Sequence, residues 1–191
     1  MVLAAFGRPT GAPETQKAVF AGGCFWGVDA VFRHVQGVAG VVSGYAGGSA
    51  ATAEYGRVST GTTGHAEAVE VTFDPRQISY GKLLEIFFTV AHDPTQLNRQ
   101  GPDVGTQYRS AIFYTDEAQR QSARGLIERL TRTNVFPAPI VTEVVPLAEF
   151  YPAESYHQDY LAHHLSQPYI VYHDLPKLER LKDRFPALYR P

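Results

Sequence analysis

The chain has 191 residues, 44% of them hydrophobic, enough to bury one sizeable core, so a single domain is the expectation. Lys and Arg number 17 against 19 Asp and Glu, for a net charge of -2, which leaves no basic field to hold nucleic acid or an acidic membrane surface. The lone cysteine excludes an internal disulfide and suits a reducing compartment such as the cytoplasm, and no export signal or membrane-length apolar run is visible.

Residues 1–16 carry Gly, Pro, Thr and Ala without periodicity and are expected to be a flexible N-terminal tail, with one domain over 17–191. "KAVFAGG" reads as a short strand closed by glycines, after which Val28, Val31, Phe32 and Val35 recur at helical spacing up to Gly37. "VAGVVSGYAGG" predicts a second strand running into a glycine-rich loop, and "HAEAVEVTFDP" a third, stopped by Asp74 and Pro75. A helix follows with Tyr80, Leu83, Leu84, Phe87 and Ala91 on one face. The polar loop "HDPTQLNRQGPDVG" leads to the strand "TQYRSAIFY", a helix from Asp116 to about Thr131 with a capping box of Asp116 and Gln119, and a strand in "APIVTEVVPL". The order strand, helix, strand, strand, helix, strand predicts the α+β class, specifically a ferredoxin-like (split βαβ) plait with C-terminal extensions.

A lone cysteine is more often an inert core residue than a nucleophile. Cys24 falls where the first strand turns into a helix, however, and the unpaired N–H groups and positive dipole end of a first helical turn favour a thiolate. Phe25 and Trp26 follow it, either as a core staple or as an apolar wall for a small substrate group. Strand alternation places Glu67 on the face of Val69, Val71 and Phe73 and puts Glu70 with Thr72 on the other. A carboxyl aimed at apolar surroundings has a raised pKa and serves as a general acid; the plainer alternative is an ion-paired glutamate. Tyr55 and Tyr108 are candidate phenolic donors to an oxygen, although most of the 11 tyrosines must be structural. Asp103 orients a neighbour or makes a turn. His157, Tyr160 and His164 recur at spacings of three and four, as on one helical face, but zinc-site spacings are absent. "GYAGGS" matches neither a dinucleotide fingerprint nor a P-loop, so no metal or organic cofactor is expected.

"GGCFWG", "GYAGG", "GHAEAVEV", "HDPTQLNRQGPDVGTQYRS" and "FYPAESYHQDYL", in this order, resemble the A-type peptide-methionine (S)-sulfoxide reductase family from about Lys17 to the C-terminus. The resemblance implies a thiol enzyme acting on oxidised proteins and methionine-sulfoxide peptides. In it Cys24 is the nucleophile, Glu67 the acid, Tyr55 and Tyr108 bind the sulfoxide oxygen, and Asp103 supports them. Phe25 and Trp26 bind the S-methyl group, with His157 and Tyr160 joining the substrate site. Many members resolve the resulting sulfenic acid with further cysteines, and this chain has none. Regeneration therefore falls to an external thiol, either thioredoxin or glutathione with glutaredoxin. Two other readings stand beside it: a cysteine hydrolase or acyl-transfer enzyme pairing Cys24 with a histidine, and an inactive binder of oxidised peptides.

Overall fold

A computed structural model describes residues 14–191; the tail expected over 1–16 lies outside it up to residue 13, and Gln16 already pairs with Phe73 in the sheet. Along the chain run β1 (Gln16–Gly22), α1 (Phe25–Arg33), β2 (Val38–Ala46), α2 (Tyr55–Val58), β3 (Ala66–Phe73) and α3 (Tyr80–Ile86), which widens into a π-helical turn through Ala91. The short strands β4 (Arg99–Gln100) and β5 (Asp103–Val104) form a hairpin. They are followed by β6 (Ser110–Tyr114), α4 (Glu117–Arg132), β7 (Glu143–Pro146), β8 (Phe150–Pro152), α5 (Tyr160–His163) and α6 (Leu175–Arg184). The class is α+β. Six strands form one mixed sheet in the order β7-β6-β1-β3-β2-β8, in which only the β6–β7 pair is parallel.

Two strands are shorter than their sequence patterns. "TQYRSAIFY" enters the sheet only at Ser110, because Gly105 (φ 142°) starts a 3-10 turn whose Tyr108 N–H returns to the Gly105 carbonyl. The "APIVTEVVPL" strand is confined to Glu143–Pro146; Pro137 and Pro139, which have no N–H to give a ladder, precede it. The α4 cap is as expected on one side: the Asp116 carboxylate accepts from the Gln119 N–H at 2.8 Å. The return bond comes instead from the Thr115 N–H to the Gln119 side chain, one residue earlier than in a capping box.

Alternation in the strands sorts two apolar layers. Phe20, Val69, Val71 and Phe73 pack with Val28, Val31 and Phe32 of α1 and Leu83, Leu84 and Phe87 of α3. The opposite face is lined by small residues, Ala21, Ala46, Ala66, Ala68 and Ala111, with Val19 and Phe113. Phe20 is fully buried and its ring stacks on Phe32 (centroids 5.2 Å apart) and Phe87 (4.9 Å). Phe20→Ala is therefore expected to destabilise the fold by about 3–5 kcal/mol, read from the urea midpoint at unchanged m. A loss below about 1 kcal/mol would show that this layer is not the centre of the core.

Candidate active site

The corner between β1 and α1 is made possible by Gly23, whose φ is +93° and whose added Cβ would sit 2.5 Å from the Gln100 side chain. Cys24 is thereby delivered to the N-cap of α1 and is 9% exposed. The expected thiolate is outweighed in this state. Burial pushes the Cys24 thiol well above its ordinary value, the carboxylates of Glu67 and Asp174 add to that push, and the Trp26 amide and the Lys177 ammonium only partly oppose it. The helix start is present, but a dehydrated sulfur between two acids holds its proton.

Glu67 is 2% exposed on the α1 side of β3, as alternation predicts. Its Oε2 accepts the Phe25 N–H at 3.1 Å, one of the free amides of the first helical turn. Burial raises its pKa to about 8; the Phe25 amide opposes the shift and Asp103 adds to it. Glu70, three residues on, instead forms a 2.8 Å ion pair with Lys17 on the opposite face. Tyr55, at the start of α2, and Tyr108, in the turn before β6, both fall within the fields of Glu67 and Cys24. Burial and then the Glu67 charge push both phenols up, so they remain hydrogen-bond donors. Asp103 is tied to a partner that sequence reasoning did not select: the Tyr169 hydroxyl donates to its Oδ2 at 2.5 Å. Glu154 was also missed. Its two carboxylate oxygens accept the Tyr55 N–H at 2.9 Å and the Tyr45 hydroxyl at 2.8 Å, which fixes α2 against β2.

Trp26 presents the half-buried apolar surface next to Cys24. Tyr160 stacks on its indole at 3.7 Å, 6° from parallel, and His164 stacks on Tyr160 at the same distance. The Trp26 Nε1–H donates to His157 Nδ1 at 3.2 Å, which sets the tautomer of His157. His157 and Tyr160 thus brace the tryptophan from behind. Phe25 is 1% exposed, its ring enclosed by Tyr45 and His157, so the wall expected of both aromatics presents its open surface through Trp26. The single helical face expected for His157, Tyr160 and His164 is interrupted. His157 ends a 3-10 turn, Asp159 takes a left-handed conformation (φ 51°), and α5 begins only at Tyr160. No cluster of three metal-ligating side chains occurs among the described residues.

Two histidines, His92 and His173, line the cavity that Cys24 also lines. His92 lies close to Cys24, but its ring nitrogens are taken by the Phe87 carbonyl at 2.9 Å and the Ser110 hydroxyl at 2.7 Å. Burial lowers its pKa to about 4. Below α1, Asp174 is fully buried and bonded to Lys177 at 3.1 Å. The missing side chain of Gly27 makes room for that pair, since a Cβ there would meet Asp174 Oδ1 at 2.1 Å. Neither partner was signalled by sequence pattern.

A protonated thiol, a protonated buried acid and two phenols lie within one another's electrostatic reach, a set fitted to moving an oxygen onto sulfur. Comparison with known proteins agrees. Residues 16–188 match the family model described as peptide methionine sulfoxide reductase. The chain is 57% identical to "Peptide methionine sulfoxide reductase MsrA 2" of Mesorhizobium japonicum over 93% of its length and 91% of that protein's. It is 54% identical to the Synechocystis protein of the same description, over 92% and 82%. Among solved structures, reduced Mxr1 of Saccharomyces cerevisiae superposes with a TM-score of 0.76 at 33% identity, covering 81% of this chain and 88% of that one. Methionine sulfoxide reductase A of Corynebacterium diphtheriae gives 0.73 at 38%, covering 86% and 82%. A match that spans the sheet, the Cys24 corner and the C-terminal aromatics makes this chain a member of the peptide methionine sulfoxide reductase family, an oxidoreductase of the MsrA type that reduces the S epimer of methionine sulfoxide.

Proposed function

We propose that Cys24 is the nucleophile and that the reaction proceeds through its sulfenic acid. The observation that carries this reading is the juxtaposition of the chain's one thiol with a buried carboxyl whose pKa is about 8. Glu67, protonated at neutral pH, gives its proton to the sulfoxide oxygen while the Tyr55 and Tyr108 hydroxyls donate to the same oxygen. Cys24 sulfur attacks the substrate sulfur, forming an S–S bond as the thiol proton reloads Glu67; the hydroxyl then passes from the substrate sulfur to Cys24 as that S–S bond breaks. The substrate sulfur gains two electrons and leaves as methionine; Cys24 loses two and keeps the oxygen. Asp103 with Tyr169 positions the loop beside Tyr108. Trp26, braced by His157 and Tyr160 and backed by Phe25, receives the S-methyl group, and dispersion against the indole orients the sulfoxide.

The catalytic domain spans 17–191, with a ferredoxin-like plait as its centre; the order β6-β1-β3-β2, antiparallel throughout, supports that reading. Substrates are oxidised proteins and methionine-sulfoxide peptides, and no metal or organic cofactor takes part. With no second cysteine, regeneration uses an external thiol, thioredoxin or glutathione with glutaredoxin. Support for the first is that yeast Mxr1 is known in complex with Trx2. We assign the chain to the cytoplasm on its single thiol; no helix among the described residues is long and apolar enough to cross a membrane.

The test is stoichiometric. Reduced protein mixed with an excess of an S-epimer methionine-sulfoxide peptide, without reductant, is expected to yield one methionine per chain and to gain one oxygen at Cys24. The R epimer should remain unchanged. Two methionines per chain, or an unmodified Cys24 after methionine release, would remove the sulfenic-acid mechanism.

A further inference from the structure

Cys24 has a second approach. An open cavity of about 220 Å³ is lined in part by Cys24, and none of Trp26, Glu67, Tyr55 and Tyr108 lines it. One wall is the helical stretch through α6, where His173, Lys177 and Arg180 follow at spacings of four and three and so share a face. Lys177 is held there by buried Asp174. Two carboxylates lie across from this wall. Asp103 is engaged by Tyr169. Asp93 is partly buried, yet the Thr95 N–H and hydroxyl (3.0 and 2.7 Å) and the Gln96 amide (3.1 Å) keep it ionised.

We propose that this cavity is the reductant's binding site, and that it takes a small zwitterionic peptide thiol of the glutathione class. The thiol's carboxylates would lie against Lys177 and Arg180 and its ammonium beside Asp93. The inference rests on the sulfenic-acid reading above and extends it to the second half of the cycle. Displacement at sulfur is in line, so the entering thiolate must come from the side opposite the departing oxygen. The first half-reaction leaves that oxygen among Glu67, Tyr55 and Tyr108, and none of these residues lines the cavity that Cys24 shares with Lys177 and Arg180. The entering thiolate forms an S–S bond to Cys24 while the S–O bond breaks and the oxygen leaves as water, taking the two protons from the sulfenic acid and the thiol. A second thiol then attacks the mixed disulfide, which frees Cys24 as the thiol and releases the oxidised dimer of the reductant. Two thiols supply the two electrons. A neutral thiol can run the same chemistry but gains nothing from the charged walls.

The experiment converts Cys24 to the sulfenic acid with one equivalent of sulfoxide peptide, then mixes it with glutathione or with 2-mercaptoethanol and follows mixed-disulfide formation by mass. In Lys177→Gln and in Arg180→Gln, the ratio of the glutathione rate to the mercaptoethanol rate should fall about three- to fivefold, the size expected of a solvent-accessible ion pair. In the unaltered protein, added salt should lower the glutathione rate and leave the neutral-thiol rate in place. Equal losses with both thiols would make these residues mere supports of Cys24 and overturn the proposal, as would an unchanged ratio in both variants. Failure to form the sulfenic acid overturns the underlying mechanism as well, and it is seen before any thiol is added.

Discussion

Cys24→Ser is expected to abolish methionine sulfoxide reduction and leave the fold intact. No other side chain near the site offers a two-electron reductant, since Cys24 is the only cysteine. The alcohol that replaces it is far less nucleophilic and cannot form a sulfenic acid. Folding should be spared because the position is the N-cap of α1, where serine is among the preferred residues. The change also removes little volume from a site that is not the centre of the core. The measurement is methionine release with dithiothreitol in excess, alongside a urea melt. Turnover retained in a folded Cys24→Ser protein would end the thiol mechanism; simultaneous loss of activity and fold would leave the unfolding midpoint visibly displaced, which is not expected.

Glu67→Gln should slow the chemical step by about 10²- to 10⁴-fold, the range typical of losing a general acid, while Glu70→Gln should change it little. The amide is nearly isosteric and retains an oxygen for the Phe25 N–H, so the backbone corner can persist while the transferable proton is lost. The pH dependence gives a second reading of the same residue. With a folded pKa of about 8, Glu67 is protonated at neutral pH, and the rate should decline as pH rises through about 8. The linkage to stability has the same sign. Its folded pKa lies above the ordinary carboxyl value of 4.5, so the folded state binds the extra proton. The stability this contributes is complete below about 4.5 and lost as pH rises through about 8. Glu67→Gln should flatten both declines. An unaltered alkaline limb in that variant would move the acid role to another group, and equal kinetic losses at 67 and 70 would overturn the face assignment.

The difference between those two glutamates was legible in the amino-acid sequence because it is a local property. Alternation along β3 follows from backbone geometry, and three residues along a strand reverse the face whatever the rest of the molecule does. The Cys24 corner was legible for a similar reason: paired glycines end a strand, and a helical apolar repeat follows at once. The Asp116 cap was read from neighbouring residues too. The family resemblance then implied a specific role for Tyr55 and Tyr108, already singled out among the 11 tyrosines, which periodicity could not do.

Tertiary structure decided what depends on distance through space. The thiol's high pKa comes from dehydration and from Glu67 and Asp174, which approach Cys24 only when β3 and the C-terminal helix pack against α1. The brace on Trp26 comes from His157, 131 positions away, and Tyr169 reaches Asp103 across 66. The break at Asp159 replaced a predicted helical face with an aromatic stack, because a left-handed residue leaves no trace in a three-and-four spacing. Sequence by itself determined where the thiol and the buried carboxyl sit along the chain and the faces they occupy, since both follow from covalent geometry and near neighbours. Only the folded chain decided their protonation and partners, because desolvation and Coulomb forces act between groups that the sequence keeps far apart.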